Sequence, residues 1–299
     1  KPMQTVSALS VPFQSGVRPA VVQTLSRPTS AWRIIQATVS KELRATTRYI
    51  PNLIGSLANQ AVRVVFFLLL SSAVSIQGLG VSGAPLAGRD LFISFQSGLL
   101  LTVFIGATLW GPISAVRSDL YNGTLEFLYS NPGSRYAYYV GSVLARVIVE
   151  SVLFLPLYIF LALYSRASLP DLLMVLLTCA VIMVALTAMG VMVALLALLW
   201  RQVDSIAQVL GVMFEMIGGA YLPVAAFPGF MRYLAYPLPH TWGYDLIRYY
   251  SFGGNWQTLL PVWQEWAIII AFAIGFTLAS RHLLSKAEQR AKKNGLHVI

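Results

Sequence analysis

A chain of 299 residues that is 57% hydrophobic and only 11% charged departs from soluble domains, in which about a quarter of the residues carry charge. Long apolar runs and this shortage of charge place it among polytopic membrane proteins, with an all-α fold. The net charge of +10 is scattered between apolar runs and not gathered with aromatics, so it points to membrane orientation and anionic lipid and excludes a nucleic-acid partner.

Residues 1–30 mix Ser, Gln, Pro, Val and Arg without a sustained period and read as a loose N-terminal arm. Over residues 31–50 the pattern changes. Trp32, Ile35, Val39 and Leu43 recur at steps of three and four, opposed by Arg33, Lys41, Glu42, Arg44 and Arg48, which predicts a basic amphipathic helix lying in the membrane interface. Pro51 marks its end.

Residues 51–284 form the transmembrane region, with six predicted spans, each near the roughly 20 residues needed to cross the hydrocarbon layer. They run from Ile54 to Ile76, Leu91 to Ile113, Tyr138 to Tyr164, Leu172 to Trp200, Ile206 to Ala226 and Val262 to Ala279. The fourth carries the clearest signal, because no charge interrupts it. Six spans put both termini on one side. With that side cytoplasmic, only Arg89, Arg166, Arg232 and Arg248 fall outside, and Arg63 and Arg146 fall within spans. The remaining basic residues are cytoplasmic, including those of the tail at 285–299, as the positive-inside rule requires.

The longest connection, 227–261, lies between the last two spans on the outer side. It is rich in Tyr, Phe and Trp and broken at Pro228, Pro237 and Pro239, a composition suited to short outer or re-entrant helices.

Among short motifs, Gly78-Leu-Gly-Val-Ser-Gly83 matches G-x-G-x-x-G but lacks the preceding strand and following helix that phosphate binding needs. The lone Cys179 cannot form an intramolecular disulfide. His240, His282 and His297 are far apart, and neither a G-x-S-x-G nor a G-x-x-x-x-G-K-[ST] pattern occurs. The chain therefore has no catalytic nucleophile, no metal-ligating set and no nucleotide-binding loop of its own.

The stretch Ala115 to Arg135, between spans two and three, is short, polar and punctuated. Asp119, Leu120, Leu125, Glu126 and Leu128 read as a short helix over Asp119 to Ser130, stopped by Asn131-Pro132-Gly133. The elements Arg117-Ser-Asp119, Gly123-Thr124-Leu125-Glu126, Pro132 and Arg135 resemble the cytoplasmic coupling segment of type-2 ABC exporter permeases. Ser118 stands where that family usually shows an acidic residue. The resemblance covers the order of parts from about Ala31 to the C-terminus, and Pro237-Leu-Pro-His-Thr-Trp with Arg248 is similar to the family's outer segment.

That resemblance implies a permease subunit in the cell membrane. Its partners would be a separate ABC ATPase that holds ATP and Mg, a second permease, the same or related, and the lipid bilayer. The helix at Asp119 to Ser130 would dock in the ATPase. The substrate would be an amphipathic or hydrophobic molecule such as a drug, a lipid or a lipid-linked glycan.

Charges inside spans are costly and mark functional sites. Arg146 and Glu150 are four apart on one face of span three and read as a structural pair. Glu215, beside Met213 and Phe214 in span five, is a candidate substrate-path residue, with Arg63 of span one as a candidate partner. An ion-gradient-driven transporter or channel using Glu215 is the alternative reading.

Overall fold

The computed structural model describes residues 30–48, 50–77, 84–121, 123, 134–199, 211–212 and 214–294. Helix α1 (Ala31–Thr47) starts at an N-cap, the Ser30 hydroxyl accepting from Arg33 N–H. Its side turned to the bundle carries Ile35, Thr38, Val39 and Leu43, while Trp32 stays exposed. Among the described residues five helices then follow that are long and apolar enough to cross a membrane: α2 (Ile50–Ala73), α3 (Gly88–Tyr121), α4 (Arg135–Tyr164), α5 (Leu169–Leu199) and α8 (Val262–Asn294). Short β-strands β1 (Ser75–Ile76) and β2 (Leu86–Ala87) pair antiparallel and tie the end of α2 to the start of α3. The first part of the predicted fifth span lies outside the described residues; its last helical turns run through 214–218.

One span breaks the relation between hydropathy and burial. The strongly apolar α5 is only partly enclosed, and α2 has 6% of its membrane window buried, whereas the least apolar window, in α3, is 89% buried. A lipid tail is as apolar as leucine, so apolar residues gain little by turning inward. Small and polar residues do gain, because inside the bundle they find partners. Ser94, Gln96, Ser97, Gly98, Thr102 and Thr108 make α3 the central helix, packed against α2, α4 and α5.

Between 218 and α8 the chain forms a 3₁₀ turn (Val224–Ala226), α6 (Gly229–Ala235) and α7 (Pro239–Ser251). Pro239 sits at the start of α7, where its missing N–H is no loss. The sequence reading of short helices in the aromatic stretch is thus matched, but α7 is not superficial. It is buried along nearly its whole length and packs on α5, α3 and α8.

The bundle has two distinct ends. At one, α1 meets the first turn of α4 and the last part of α8: Lys41 lies over the Tyr138 ring (5.9 Å) and Arg281 over the Tyr136 ring (5.2 Å). At the other, Arg89 of α3 donates through Nε and Nη2 to the Tyr164 carbonyl (3.0 and 2.8 Å), and Arg166 pairs with Asp90 (3.4 Å). Antiparallel α3 and α4 are thereby clamped opposite the α1 end.

One predicted boundary moves. The sequence places the end of span two at Ile113 and starts a separate helix at Asp119. Instead α3 continues past Pro112 to Tyr121, because nothing between Ile113 and Tyr121 breaks a helix. Gly123, with a φ of 65°, supplies the left-handed residue common just beyond a helix end.

Candidate functional site

Two polar assemblies stand inside this apolar bundle. The first is built where the chain leaves the 214–218 turns and passes across α3. A Cβ on Gly98 would collide with the Ala220 carbonyl, so only glycine lets this backbone cross so close to α3. The carbonyls that end these turns are then capped by α7. Arg248, 1% exposed, donates from Nη2 to the Gly219 and Ala220 oxygens (2.7 and 3.0 Å) and from Nε to the Ser94 hydroxyl (3.1 Å).

His240 Nε2 donates to the Phe214 carbonyl (2.9 Å), and Gly218 leaves room for its ring. This bond assigns the neutral tautomer with the proton on Nε2. Burial lowers the His240 pKa to about 4, partly opposed by that hydrogen bond. Tyr244 and Thr102 join α7 to α3 through their hydroxyls (3.0 Å). Cationic and donor groups at a helix C-terminus complement its orphan carbonyls and dipole.

The second assembly is a cavity of about 650 Å³ bounded by α2, α3 and α4 and the turn at Glu215. Helix α2 lines it with Asn52, Ser56, Asn59, Gln60 and Arg63, which recur at helical spacing along one face. Glu150 comes from α4 and Glu215 from the 214–218 turns, with Leu99, Val103 and Leu153 supplying apolar surface. The Tyr221 hydroxyl donates to Glu215 Oε2 (3.0 Å), and the Tyr221 ring stacks on Phe67 of α2 (centroids 5.6 Å). Arg63 attracts Glu215, and Arg146 attracts Glu150, yet among the described residues no ion pair within 4.0 Å joins either couple. Arg146 is exposed, one turn from Glu150 on α4. Charges held apart around an open cavity in a membrane are a functional signature.

The residues singled out in the sequence therefore fall into separate places. Glu215 and Glu150 meet in one cavity with Arg63. Phe214 packs half-buried on the core, and its carbonyl receives His240. Met213, Thr124, Leu125, Glu126 and Pro132 lie outside the described residues. Arg117 and Asp119 are on the last turns of α3, Gly123 follows them, and Arg135 opens α4. Sequence reading named His240 only within the outer segment, without its capping role, and missed Ser94, Gly98 and Thr102. The signal for the last three was there: Ser94, Gly98 and Thr102 are four apart, a row of small residues that lets another backbone approach a spanning helix.

A helical bundle with several apolar spans, a buried polar cap and a charged intramembrane cavity defines a multi-pass membrane protein of the transport type. The family described as ABC-2 type transporter matches residues 28–252, and the chain belongs to that family. Members are membrane transport components that work with an ATPase subunit and are not themselves catalytic. A search of the curated proteins finds no match.

Proposed function

We propose that the chain is the transmembrane permease subunit of an ATP-driven ABC exporter, moving an amphipathic or hydrophobic substrate out of the cytoplasm or the inner leaflet. Family membership across residues 28–252 is the observation that carries this reading. ATP and Mg would be bound by separate nucleotide-binding subunits, two of them serving a pair of permeases. The basic bias of the α1 end supports a cytoplasmic position for it. The segment 115–135 leaves α3 and re-enters α4 at that same end, where an ATPase would dock. Closure of the ATPase would push on Arg117, Asp119 and Glu126 and be passed along α3, the helix with the most neighbours to move. The pair Arg146 and Glu150 would steady α4.

The test is co-purification with an ABC ATPase, followed by reconstitution. ATP-dependent substrate flux that is lost with Glu126→Arg is expected. Flux driven by a pH gradient without any ATPase, and abolished by Glu215→Gln, would replace this reading by an ion-coupled carrier.

A further inference from the structure

We propose that the cavity between α2, α3 and α4 binds the head of a cationic amphiphile, an amine or quaternary ammonium on an apolar tail, admitted from the side at the level of α1. The consequence for transport rests on the permease reading above; the binding itself does not.

Charge is the first argument. Two carboxylates, Glu150 and Glu215, line the cavity with one guanidinium, Arg63; Arg146 attracts Glu150 from outside the lining, and no direct ion pair neutralises either carboxylate among the described residues. Tyr221 occupies one Glu215 oxygen and leaves the other without a hydrogen bond. A cation between the two carboxylates would offset both charges, whereas a sulfate or phosphate head would meet two like charges.

The second argument is the mixture of surfaces. Leu99, Val103 and Leu153 offer a wall for a tail, while Gln60 Nε2 is a buried donor with no partner, suited to an ester, ether or carbonyl oxygen near the ammonium. A volume of about 650 Å³ is that of a pocket for a small molecule and not for a hydrated ion.

The third is the route. A second cavity of about 280 Å³ shares Asn52, Ser56, Glu150 and Leu153 with the first and extends to Ala45 and Thr46 at the end of α1. An amphipathic basic helix lies at the headgroup level of a bilayer. The shared wall therefore leads from the headgroups, between α1 and α4, toward the carboxylates. An amphiphile already in the leaflet could slide its head along this polar path while its tail stays in lipid.

The experiment uses the full chain in phosphatidylcholine nanodiscs, without ATPase or ATP. The probe is dodecylamine carrying a diazirine in its tail, and its control is the dodecyl sulfate of the same length; cross-linked peptides are mapped by mass spectrometry. The amine should label the Leu99–Val103 stretch of α3 and the Leu153 region of α4, and excess plain dodecylamine should compete. Glu150→Gln with Glu215→Gln should cut this labelling about tenfold or more, the equivalent of one lost charge interaction. Gly106→Leu is the second variant, since Gly106 lines the cavity and a Cβ there meets nothing within 4 Å; it removes volume, keeps every charge and should also reduce labelling. Equal labelling by the sulfate, labelling spread over the exposed Phe66 and Leu69, or cross-links showing a second copy seated in the cavity would each overturn the proposal. If the amine labels the cavity but ATP drives no flux in the reconstituted complex, the exporter reading fails and the site stands. ATP-driven flux without cavity labelling sinks the site alone.

Discussion

Arg248 of α7 donates to the carbonyl oxygen of Gly219 at 2.7 Å, so one buried guanidinium closes the end of a helix that approaches from another part of the chain. The same side chain reaches Ala220 and Ser94, joining three segments far apart in sequence. Burial pulls its pKa down to about 10, which still leaves it charged at neutral pH.

Arg248→Met should therefore be among the most damaging single changes in the chain. It keeps volume but abandons buried carbonyls, each worth roughly 1–3 kcal/mol when left unsatisfied. A fall in the thermal midpoint of the detergent-solubilised protein is expected, with Arg248→Lys intermediate, because an ammonium lacks the fork that serves several acceptors. Equal midpoints for Arg248→Met and the parent would show that water takes over the capping.

Gly98→Ala should disrupt the same junction by a different mechanism. Its methyl would fall on the Ala220 carbonyl, a backbone atom that cannot rotate away, so α3 and the crossing chain must separate. Overpacking of this kind costs typically 1–3 kcal/mol. Gly275→Ala is the control: a Cβ there meets nothing within 4 Å, and replacing a helix-interior glycine gains roughly 0.5–1 kcal/mol. Comparing monodisperse yield and thermal midpoint of the two variants checks the claim.

These two positions show what the sequence carried and what it hid. The apolar runs, the amphipathic helix over 31–50 and the breaks at Pro228, Pro237 and Pro239 were all readable, since each acts within a few residues. The centrality of α3 was not. Hydropathy measures preference between water and lipid, while the choice in a bundle is between lipid and protein, and there the Ser94, Gly98 and Thr102 row outweighs any run of leucines. Likewise Arg248 reads as an outer-side charge by counting. Its burial depends on carbonyls contributed about thirty residues earlier, at Gly219 and Ala220, which no local pattern announces. The cavity was half legible: Glu215 and Arg63 stood out as charges in spans, but Glu150 seemed satisfied by Arg146 until the fold brought it into the same cavity.

His240 gives the protein an acid limit. Burial holds its pKa down at about 4 against an ordinary 6.5. Between those values the unfolded chain binds the proton and the folded chain does not, so stability is complete above about 6.5 and is lost as pH falls through about 4. His240→Gln keeps a donor for the Phe214 carbonyl and has no proton to gain. The thermal midpoint of the parent should fall more steeply than that of the variant across this window. Parallel curves would mean that other groups set the acid limit.

The last prediction concerns two carboxyls that meet at the end of the bundle away from α1. Asp245 of α7 accepts from Trp256 Nε1 (2.9 Å) and Leu259 N–H (2.7 Å), and Glu265 of α8 accepts from Leu260 N–H (3.0 Å). Glu265 Oε2 is buried without a hydrogen-bond partner beside Asp245, so a proton shared between the two acids would satisfy both. Burial raises the Asp245 pKa, so the stability tied to that proton is present in full below the ordinary 3.8 and is lost as pH rises through the folded value. Glu265→Gln supplies a permanent donor in place of the proton while its carbonyl can still accept from Leu260. It should leave the midpoint unchanged or higher, and flatten its decline toward alkaline pH. Asp245→Asn should do the opposite. One of its two acceptors becomes an NH₂ facing a donor, either Trp256 or Leu259, and a buried clash of that kind costs roughly 1–3 kcal/mol. If both amides behaved alike in a melt run from about pH 6 to about pH 9, the shared proton would not be what fastens α7 to the start of α8.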